Sequence, residues 1–298
     1  MKITQAFIDS IYEALEETVI DASNAIIEVY KSESFNTEIK SDGSPVTEAD
    51  KRANDIITES LRKITPDIPV VSEETYDPEE PNPNKPYWLV DPLDGTKEFI
   101  NKSNDFTVNI ALIENSIPIF GIIAAPAKRK IWSGSFFKRP SKLIKSIKYL
   151  GHMLNDPYTF DKYHAARQPV RIVMSKSHQT DIDKKFLQFL DKRLYVHVPG
   201  IPPYYTVVEK GSSLKLCALA DNEADIYPRF GPTSEWDIAA GHACLRQQGG
   251  RVCQMSSGEP LAYTKEESIL NPAFVCFRNT YLKDKYLGLI SEFYKKLV

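Results

Sequence analysis

Two short apolar runs, each ending in acidic residues, constrain the fold of this 298-residue chain more than any other feature. Residues 68–71 lead into Glu73 and Glu74, and residues 87–90 lead into Asp91. Short apolar runs between turn signals are typical of buried strands. Ligands bind at the carboxyl ends of neighbouring strands in α/β sheets, so acids at both ends predict a shared site.

The second run continues as Trp-Leu-Val-Asp-Pro-Leu-Asp-Gly-Thr, residues 88–96. A strand would deliver Asp91, and the following proline would bend the chain so that Asp94 returns to the same side. Two carboxylates and the Leu93 carbonyl are the hard oxygen donors that Mg²⁺ prefers. A helix opening at Gly95 and Thr96 would offer free N–H groups to an anion. The segment predicts a metal site beside a phosphate site, but an ordinary Asp-Pro and Asp-Gly turn also explains it.

Three further acidic positions have both a chemical and a structural interpretation. Glu73 could bridge metal ions or belong to a solvated acidic turn. Asp237 begins a helix whose small residues should let it pack closely, and there it could bind metal or cap the helix. Asp42, in an Asp-Gly-Ser-Pro turn, could orient or deprotonate a water or simply form the turn. No physical rule joins these segments into one site.

The sequences of these segments resemble those of the inositol monophosphatase superfamily of magnesium-dependent, lithium-sensitive phosphatases. Within it, they resemble most the 3′(2′),5′-bisphosphate nucleotidase branch of bacterial CysQ type. The Lys97-Glu98-Phe99 sequence after the Gly-Thr pair is characteristic of that branch. The motifs follow the family order over most of the chain. They are DGSPVTEAD (42–50), VSEE (71–74), DPLDGTKEFI (91–100), FTVNIALI (106–113), GSSLK (211–215) and ADIYPRFGPTSEWDIAAG (224–241).

The resemblance implies an α/β fold, a layered α/β/α/β/α sandwich with the site between two halves. An α+β N-terminal half (1–140) would carry most metal ligands, and an α/β C-terminal half (141–298) would carry Asp237 and the substrate-binding residues. Hydrophobic spacing agrees with this alternation of elements. It predicts helices over 3–31, 47–61, 182–190, 212–220 and 238–248, and strands over 68–71, 87–90, 106–114, 117–126, 131–137, 171–175, 194–198 and 225–227. Asp50, three residues after Thr47, is predicted to complete a capping box at the start of the second helix.

The resemblance also implies roles for single residues. Two or three Mg²⁺ ions would be held by Glu73, Asp91, the Leu93 carbonyl, Asp94 and Asp237, with Asp91 shared between metals. Asp42 and Thr96 would position and activate the attacking water. Backbone groups of Gly95 and Thr96 would bind the phosphate. The rest of the substrate would lie near Ser175, His178, Ser212, Ser213, Lys215 and Arg229.

The implied reaction is hydrolysis of the 3′-phosphate of 3′-phosphoadenosine 5′-phosphate to AMP and phosphate, by a water that the metals activate. Inhibition by Li⁺ and a place in sulfur metabolism follow from the same resemblance. One alternative is the same chemistry on an inositol or sugar phosphate, and another is a nucleotide-binding protein without catalysis. Segment 138–169 matches nothing in the family and segment 199–210 is atypical of it, which leaves the substrate choice open.

Net charge and cysteine content limit the possible partners of the protein and its cellular compartment. The net charge of −3 gives no general attraction to nucleic acid or anionic membrane. The first 30 residues carry several acids and lack a signal-peptide pattern, and no apolar stretch reaches the length of a membrane span. The four cysteines lack metal-ligand spacing and are expected to be buried thiols. We therefore expect a cytoplasmic protein, with peripheral inner-membrane association and oligomeric state left open.

Overall fold

The computed structural model describes residues 2–32, 36–40, 43, 45–77, 85–137, 169–177, 179–194, 204–263 and 268–297. Within these ranges the helices are α1 (Gln5–Lys31), α2 (Glu48–Ile64), α3 (Thr96–Ile100), α4 (Asp181–Leu194), α5 (Leu214–Ala220), α6 (Glu235–Gln247) and α7 (Thr280–Lys295). The strands are β1 (Thr37–Ile39), β2 (Pro45–Thr47), β3 (Val70–Ser72), β4 (Tyr87–Asp94), β5 (Thr107–Glu114), β6 (Ile117–Ala125), β7 (Lys130–Ser135), β8 (Val170–Ser175), β9 (Tyr205–Lys210), β10 (Ile226–Arg229), β11 (Arg251–Gln254) and β12 (Phe274–Phe277).

Two five-stranded sheets form the framework. The N-terminal sheet has the order β3-β4-β5-β6-β7, in which β3 and β4 are parallel and the other pairs are antiparallel. The C-terminal sheet has the order β11-β12-β10-β8-β9, with β10, β8 and β9 parallel and β12 antiparallel to both of its neighbours. The strands β1 and β2 form a separate antiparallel pair in front of α2.

Helices separate and cover the two sheets. One apolar cluster joins α1 and α2 to the outer face of the N-terminal sheet. A second cluster places α5 and α6 between the sheets, and a third covers the far face of the C-terminal sheet with α4 and α7. The layers therefore run α/β/α/β/α, which confirms the predicted fold class.

Helix α6 packs so closely against the N-terminal sheet that its backbone contacts glycines of the strands. A Cβ atom built on Gly121 would stand 2.5 Å from the Ala240 carbonyl oxygen, and one on Gly134 would stand 2.5 Å from that of Ala243. No side chain larger than hydrogen fits at either position, because protein interiors are already close-packed. The small residues of α6 thus fix the helix that carries Asp237 against the sheet that carries Asp91.

Most predicted elements are confirmed, with shifts that local hydrogen bonds explain. Helix α6 begins three residues earlier than predicted because Ser234 caps it, and Asp237 is its third residue and closes the capping box. Helix α5 begins at Leu214 because the preceding residues form a tight turn in which Ser212 has φ of 50°. Leu194 ends α4 rather than beginning a strand. The elements β1, β2, β9, β11, β12 and α7 were not predicted.

Some predictions fall on residues outside the described ranges. These are Asp42, His178, residues 195–198 of the predicted strand, and nearly all of segment 138–169. The proposed division after residue 140 lies there too and stays a prediction. All four cysteines are unpaired and buried, as expected. Among the described residues, no helix combines the length and apolar character needed to cross a membrane.

Candidate metal and phosphate site

Three carboxylates meet where β4 faces the beginning of α6. Oxygen atoms of Asp91, Asp94 and Asp237 all lie within 4.8 Å of one another, and Asp91 is only 1% exposed. Asp91 pairs with Asn109 and Asp94 with Thr107, so three steps along β4 match two along β5. This extra residue is a bulge, and it returns Asp94 to the face of Asp91 despite the odd spacing.

The carboxylate cluster has the electrostatics of a cation site. Burial raises the pKa of Asp91 well above its usual value, and repulsion from Glu73, Asp94 and Asp237 raises it further. Burial and Asp94 act on the pKa of Asp237 in the same direction. All the donors are carboxylate oxygens, the ligands that Mg²⁺ prefers. A divalent cation among them would offset the repulsion, so the residues present fit the expected metal.

Glu73 lies beside the cluster and is held by a lysine. It follows β3, which runs parallel to β4 with Ser72 opposite Val90. Lys40 Nζ donates to Oε1 of Glu73 and to Oε1 of Glu74, both at 2.8 Å. The structure thus brings Glu73 to the expected sheet edge but pairs it with Lys40, a partner that no sequence motif predicted.

Replacing Lys40 by methionine tests this arrangement. Two partly buried carboxylates would lose their cation, so we expect the free energy of unfolding without Mg²⁺ to fall by about 1–3 kcal/mol. Saturating Mg²⁺ should shrink the deficit, because a metal at Glu73 replaces the lysine charge. Chemical denaturation with and without Mg²⁺ measures both values. The exposed Lys63–Glu59 pair supplies the control, because Lys63→Met should leave the free energy of unfolding nearly unchanged. A Lys40→Met deficit that Mg²⁺ leaves unchanged would contradict the metal role of Glu73.

Thr96 is hydrogen-bonded to Asp50, a carboxylate that was predicted to cap helix α2. Its Oγ1 lies 3.1 Å from Oδ1 of Asp50 and 3.2 Å from the Leu93 carbonyl oxygen. Oδ2 of Asp50 accepts from the N–H and hydroxyl of Thr47 at the start of α2. The capping box was predicted, but it occupies only one oxygen of Asp50 and leaves the other for Thr96.

Most of the predicted site residues share one cavity of about 230 Å³. Asp91 and the Leu93 side chain are buried behind it, and the Ser213 hydroxyl is bonded to the Asp237 carbonyl oxygen at 2.6 Å. The predicted residues that line the cavity are Glu73, Asp94, Gly95, Thr96, Ser175, Ser212, Lys215, Arg229 and Asp237.

The turn at Gly95 needs a glycine. Its φ is +90°, a conformation that side chains disfavour. An added Cβ would stand 3.1 Å from the Asp105 carbonyl oxygen and 3.3 Å from Cβ of Ser212. Glycine therefore allows α3 to begin directly beside the carboxylate cluster, where the sequence predicts the phosphate.

Cationic side chains form another wall of the same cavity. Lys215 Nζ lies 5.7 Å from the centre of the Tyr227 ring, and burial lowers its pKa while Asp94 opposes that shift. Arg229 donates through Nη2 to the Pro232 carbonyl at 3.1 Å. Its buried Nε finds no acceptor among the described residues. The cavity therefore joins an acidic cluster, suited to a metal, to two cations, suited to an anionic substrate.

Comparison with known proteins agrees with this arrangement. The model of the inositol monophosphatase family matches residues 8–292. The 3′(2′),5′-bisphosphate nucleotidase CysQ of Escherichia coli (strain K12) is 40% identical over 259 residues, which cover 85% of this chain and 94% of the relative. The corresponding protein of Haemophilus influenzae is 33% identical over 84% of this chain and 86% of its own length.

Solved structures show the same fold. The crystal structure of CysQ from Bacteroides thetaiotaomicron superimposes with a TM-score of 0.70 at 33% identity, covering 90% of this chain and 97% of the other. Its title describes it as a bacterial member of the inositol monophosphatase family.

Proposed function

Because the chain belongs to the inositol monophosphatase family, we propose that it is a Mg²⁺-dependent phosphatase that removes the 3′-phosphate of 3′-phosphoadenosine 5′-phosphate. The observation that carries this proposal is the single cavity in which the acidic cluster faces Lys215 and Arg229. A substrate with two phosphates can place one at the metal cluster and the other at the cations. The CysQ relatives carry the same activity in their names.

The metal ligands proposed are Asp91, Asp94 and Asp237, together with Glu73 and the Leu93 carbonyl. Bound Mg²⁺ would neutralise these carboxylates, offset the phosphate charge and lower the pKa of a nearby water. Two or three ions and inhibition by Li⁺ belong to the proposal. Backbone N–H groups of Gly95 and Thr96, at the start of α3, would donate to the phosphate oxygens.

Thr96 and Asp50 are the residues we assign to the attacking water. When the Thr96 hydroxyl donates to Oδ1 of Asp50, a lone pair of Oγ1 is left to accept a hydrogen bond from the water. That contact orients the water and lets its proton move towards Asp50 as the oxygen attacks phosphorus. A similar role for Asp42 stays a prediction, as does a nucleoside contact for His178.

A panel of phosphate-release assays separates the possible substrates. The expected result is the highest kcat/KM for 3′-phosphoadenosine 5′-phosphate, ahead of inositol 1-phosphate and fructose 1,6-bisphosphate, at equal Mg²⁺. A preference for inositol 1-phosphate would favour the alternative phosphatase. Nucleotide binding without phosphate release from any compound would favour a binding protein that lacks catalysis.

Lys215 provides a sharper test of the second phosphate. We expect Lys215→Met to raise KM for 3′-phosphoadenosine 5′-phosphate by about tenfold or more, because a charged hydrogen bond contributes about 1.5–3 kcal/mol. The KM for 3′-AMP, which lacks the 5′-phosphate, should change by less than about threefold. Lys210→Met is the control, since Lys210 pairs with Glu223 outside the cavity. An equal loss for both nucleotides would show that Lys215 does not recognise the second phosphate.

A further inference from the structure

The turn formed by residues 211–213, between β9 and α5, is bonded to metal-site residues of both halves. The Ser212 hydroxyl donates to Oδ2 of Asp94 at 2.7 Å. The Ser213 N–H donates to the same oxygen at 2.7 Å, and the Ser213 hydroxyl donates to the Asp237 carbonyl oxygen at 2.6 Å. The turn therefore joins the strand carrying Asp94 to the helix carrying Asp237.

The direction of the hydrogen bonds around Ser212 follows from proton counting. A hydroxyl has one proton, and an ionised carboxylate can only accept. The Ser212 proton is therefore on the bond to Asp94, and the 2.6 Å contact between Oγ of Ser212 and Oγ1 of Thr107 has threonine as the donor. Thr107 is fully buried and lies opposite Asp94 across β4 and β5. The chain of donors thus runs from Thr107 through Ser212 to Asp94.

Contacts with Asp105 support the backbone of the turn. Ser212 has φ of 50°, a conformation that non-glycine residues keep only when their surroundings fix it. The Gly211 N–H donates to Oδ2 of Asp105 at 3.2 Å. A Cβ on Gly211 would stand 2.8 Å from Cβ of Asp105, so the turn sits directly on that residue. Asp105 is in turn paired with Lys128 at 2.9 Å.

We propose that Ser212 is a positioning residue for Asp94 rather than a contact for the substrate. Two donors fix Oδ2 of Asp94, while Oδ1 accepts no hydrogen bond from the described residues and is left for a cation. Hydrogen bonds to a ligating carboxylate set its orientation and change metal affinity by about 10–100-fold. The single proton of Ser212 is already used, which leaves none for the substrate. This assignment rests on the metal role proposed for Asp94.

The test compares Ser212→Ala with Ser212→Gly in the full-length enzyme. Both remove the hydroxyl, but glycine also relieves the positive φ and so separates hydroxyl loss from backbone strain. Calorimetric titration with Mg²⁺ alone should show at least about tenfold weaker binding for both variants. At saturating Mg²⁺, KM for the nucleotide should stay within about twofold of the parent.

Thr107→Val supplies a second variant that leaves Ser212 in place. It should weaken Mg²⁺ binding in the same direction by about threefold, because it removes only the donor behind Ser212. Ser257→Ala, in an exposed turn where the hydroxyl accepts only from the Glu259 N–H, should bind Mg²⁺ like the parent.

Two results would overturn the proposal. An unchanged Mg²⁺ affinity with a raised nucleotide KM would make Ser212 a substrate contact. An unchanged Mg²⁺ affinity with only a lower melting temperature would make the turn purely structural. If the parent binds Mg²⁺ but releases no phosphate from any nucleotide, the proposed function fails while the calorimetric comparison still decides the role of Ser212.

Discussion

Asp91→Asn is expected to reduce turnover by about a thousandfold or more while the fold is retained. The metals in such sites contribute several kcal/mol of charge stabilisation in the transition state, and Asp91 is the carboxylate that faces every other acid of the cluster. Asparagine keeps the shape and the oxygen that accepts from the Leu93 N–H at 3.1 Å. The loss should therefore come from charge rather than from packing.

Thermal unfolding separates the loss of metal binding from a damaged fold. Without Mg²⁺ the variant should be at least as stable as the parent, because one member of a repelling cluster has been neutralised. Added Mg²⁺ should stabilise the parent, since a ligand that binds only the native state raises its stability, and should stabilise the variant much less. Asp221→Asn is the matched control, because Asp221 is a partly buried carboxylate that accepts from Trp132 Nε1 and does not line the cavity. Its activity should match the parent, and near-parental activity of Asp91→Asn would remove the metal assignment.

Thr96→Val and Asp50→Asn are expected to lower kcat by about 10²–10⁴-fold with little change in Mg²⁺ affinity. This is the range that positioned proton transfer usually contributes. Asparagine at position 50 should keep its oxygen towards Thr47, where the capping box needs an acceptor, and turn its amide towards Thr96. The threonine hydroxyl would then lose the acceptor that directs it.

The double variant shows whether the two residues act together. If they act as one unit, the double variant with Thr96→Val and Asp50→Asn should have a kcat within about threefold of that of the slower single variant. Thr58→Val, in the same helix as Asp50, changes a buried threonine with only a long 3.4 Å bond to the Asp55 carbonyl and serves as the control. Losses that multiply fully in the double variant would mean that Thr96 does not act through Asp50.

The features that sequence reasoning predicted are those in which local pattern determines position. The apolar runs before Glu73 and Asp91 are parallel neighbours in the sheet, so acids at their ends had to meet at one edge. The small residues of α6 predicted its close packing, and that packing places Asp237 opposite Asp91. The residue pattern within each segment, together with the general rule for sheet edges, was enough for these inferences.

The features that were missed depend on contacts between segments far apart in sequence. Asp50 already had a sufficient local role in the capping box, and only the fold shows that its second oxygen meets Thr96, 46 positions later. Lys40 is separated from Glu73 by 33 positions and follows β1, a three-residue strand without a strong hydrophobic pattern. The turn at Ser212 was predicted as helix because its φ of 50° leaves no mark on the apolar spacing.

Product analysis of a single reaction tests the central claim most directly. Purified enzyme, stripped of metal with a chelator and then given Mg²⁺, is incubated with 3′-phosphoadenosine 5′-phosphate, and the nucleotides are separated chromatographically. The account predicts AMP and inorganic phosphate in equal amounts, with no product before Mg²⁺ is added. Adenosine 3′-phosphate as the product, or AMP formation that does not depend on a divalent metal, would contradict it.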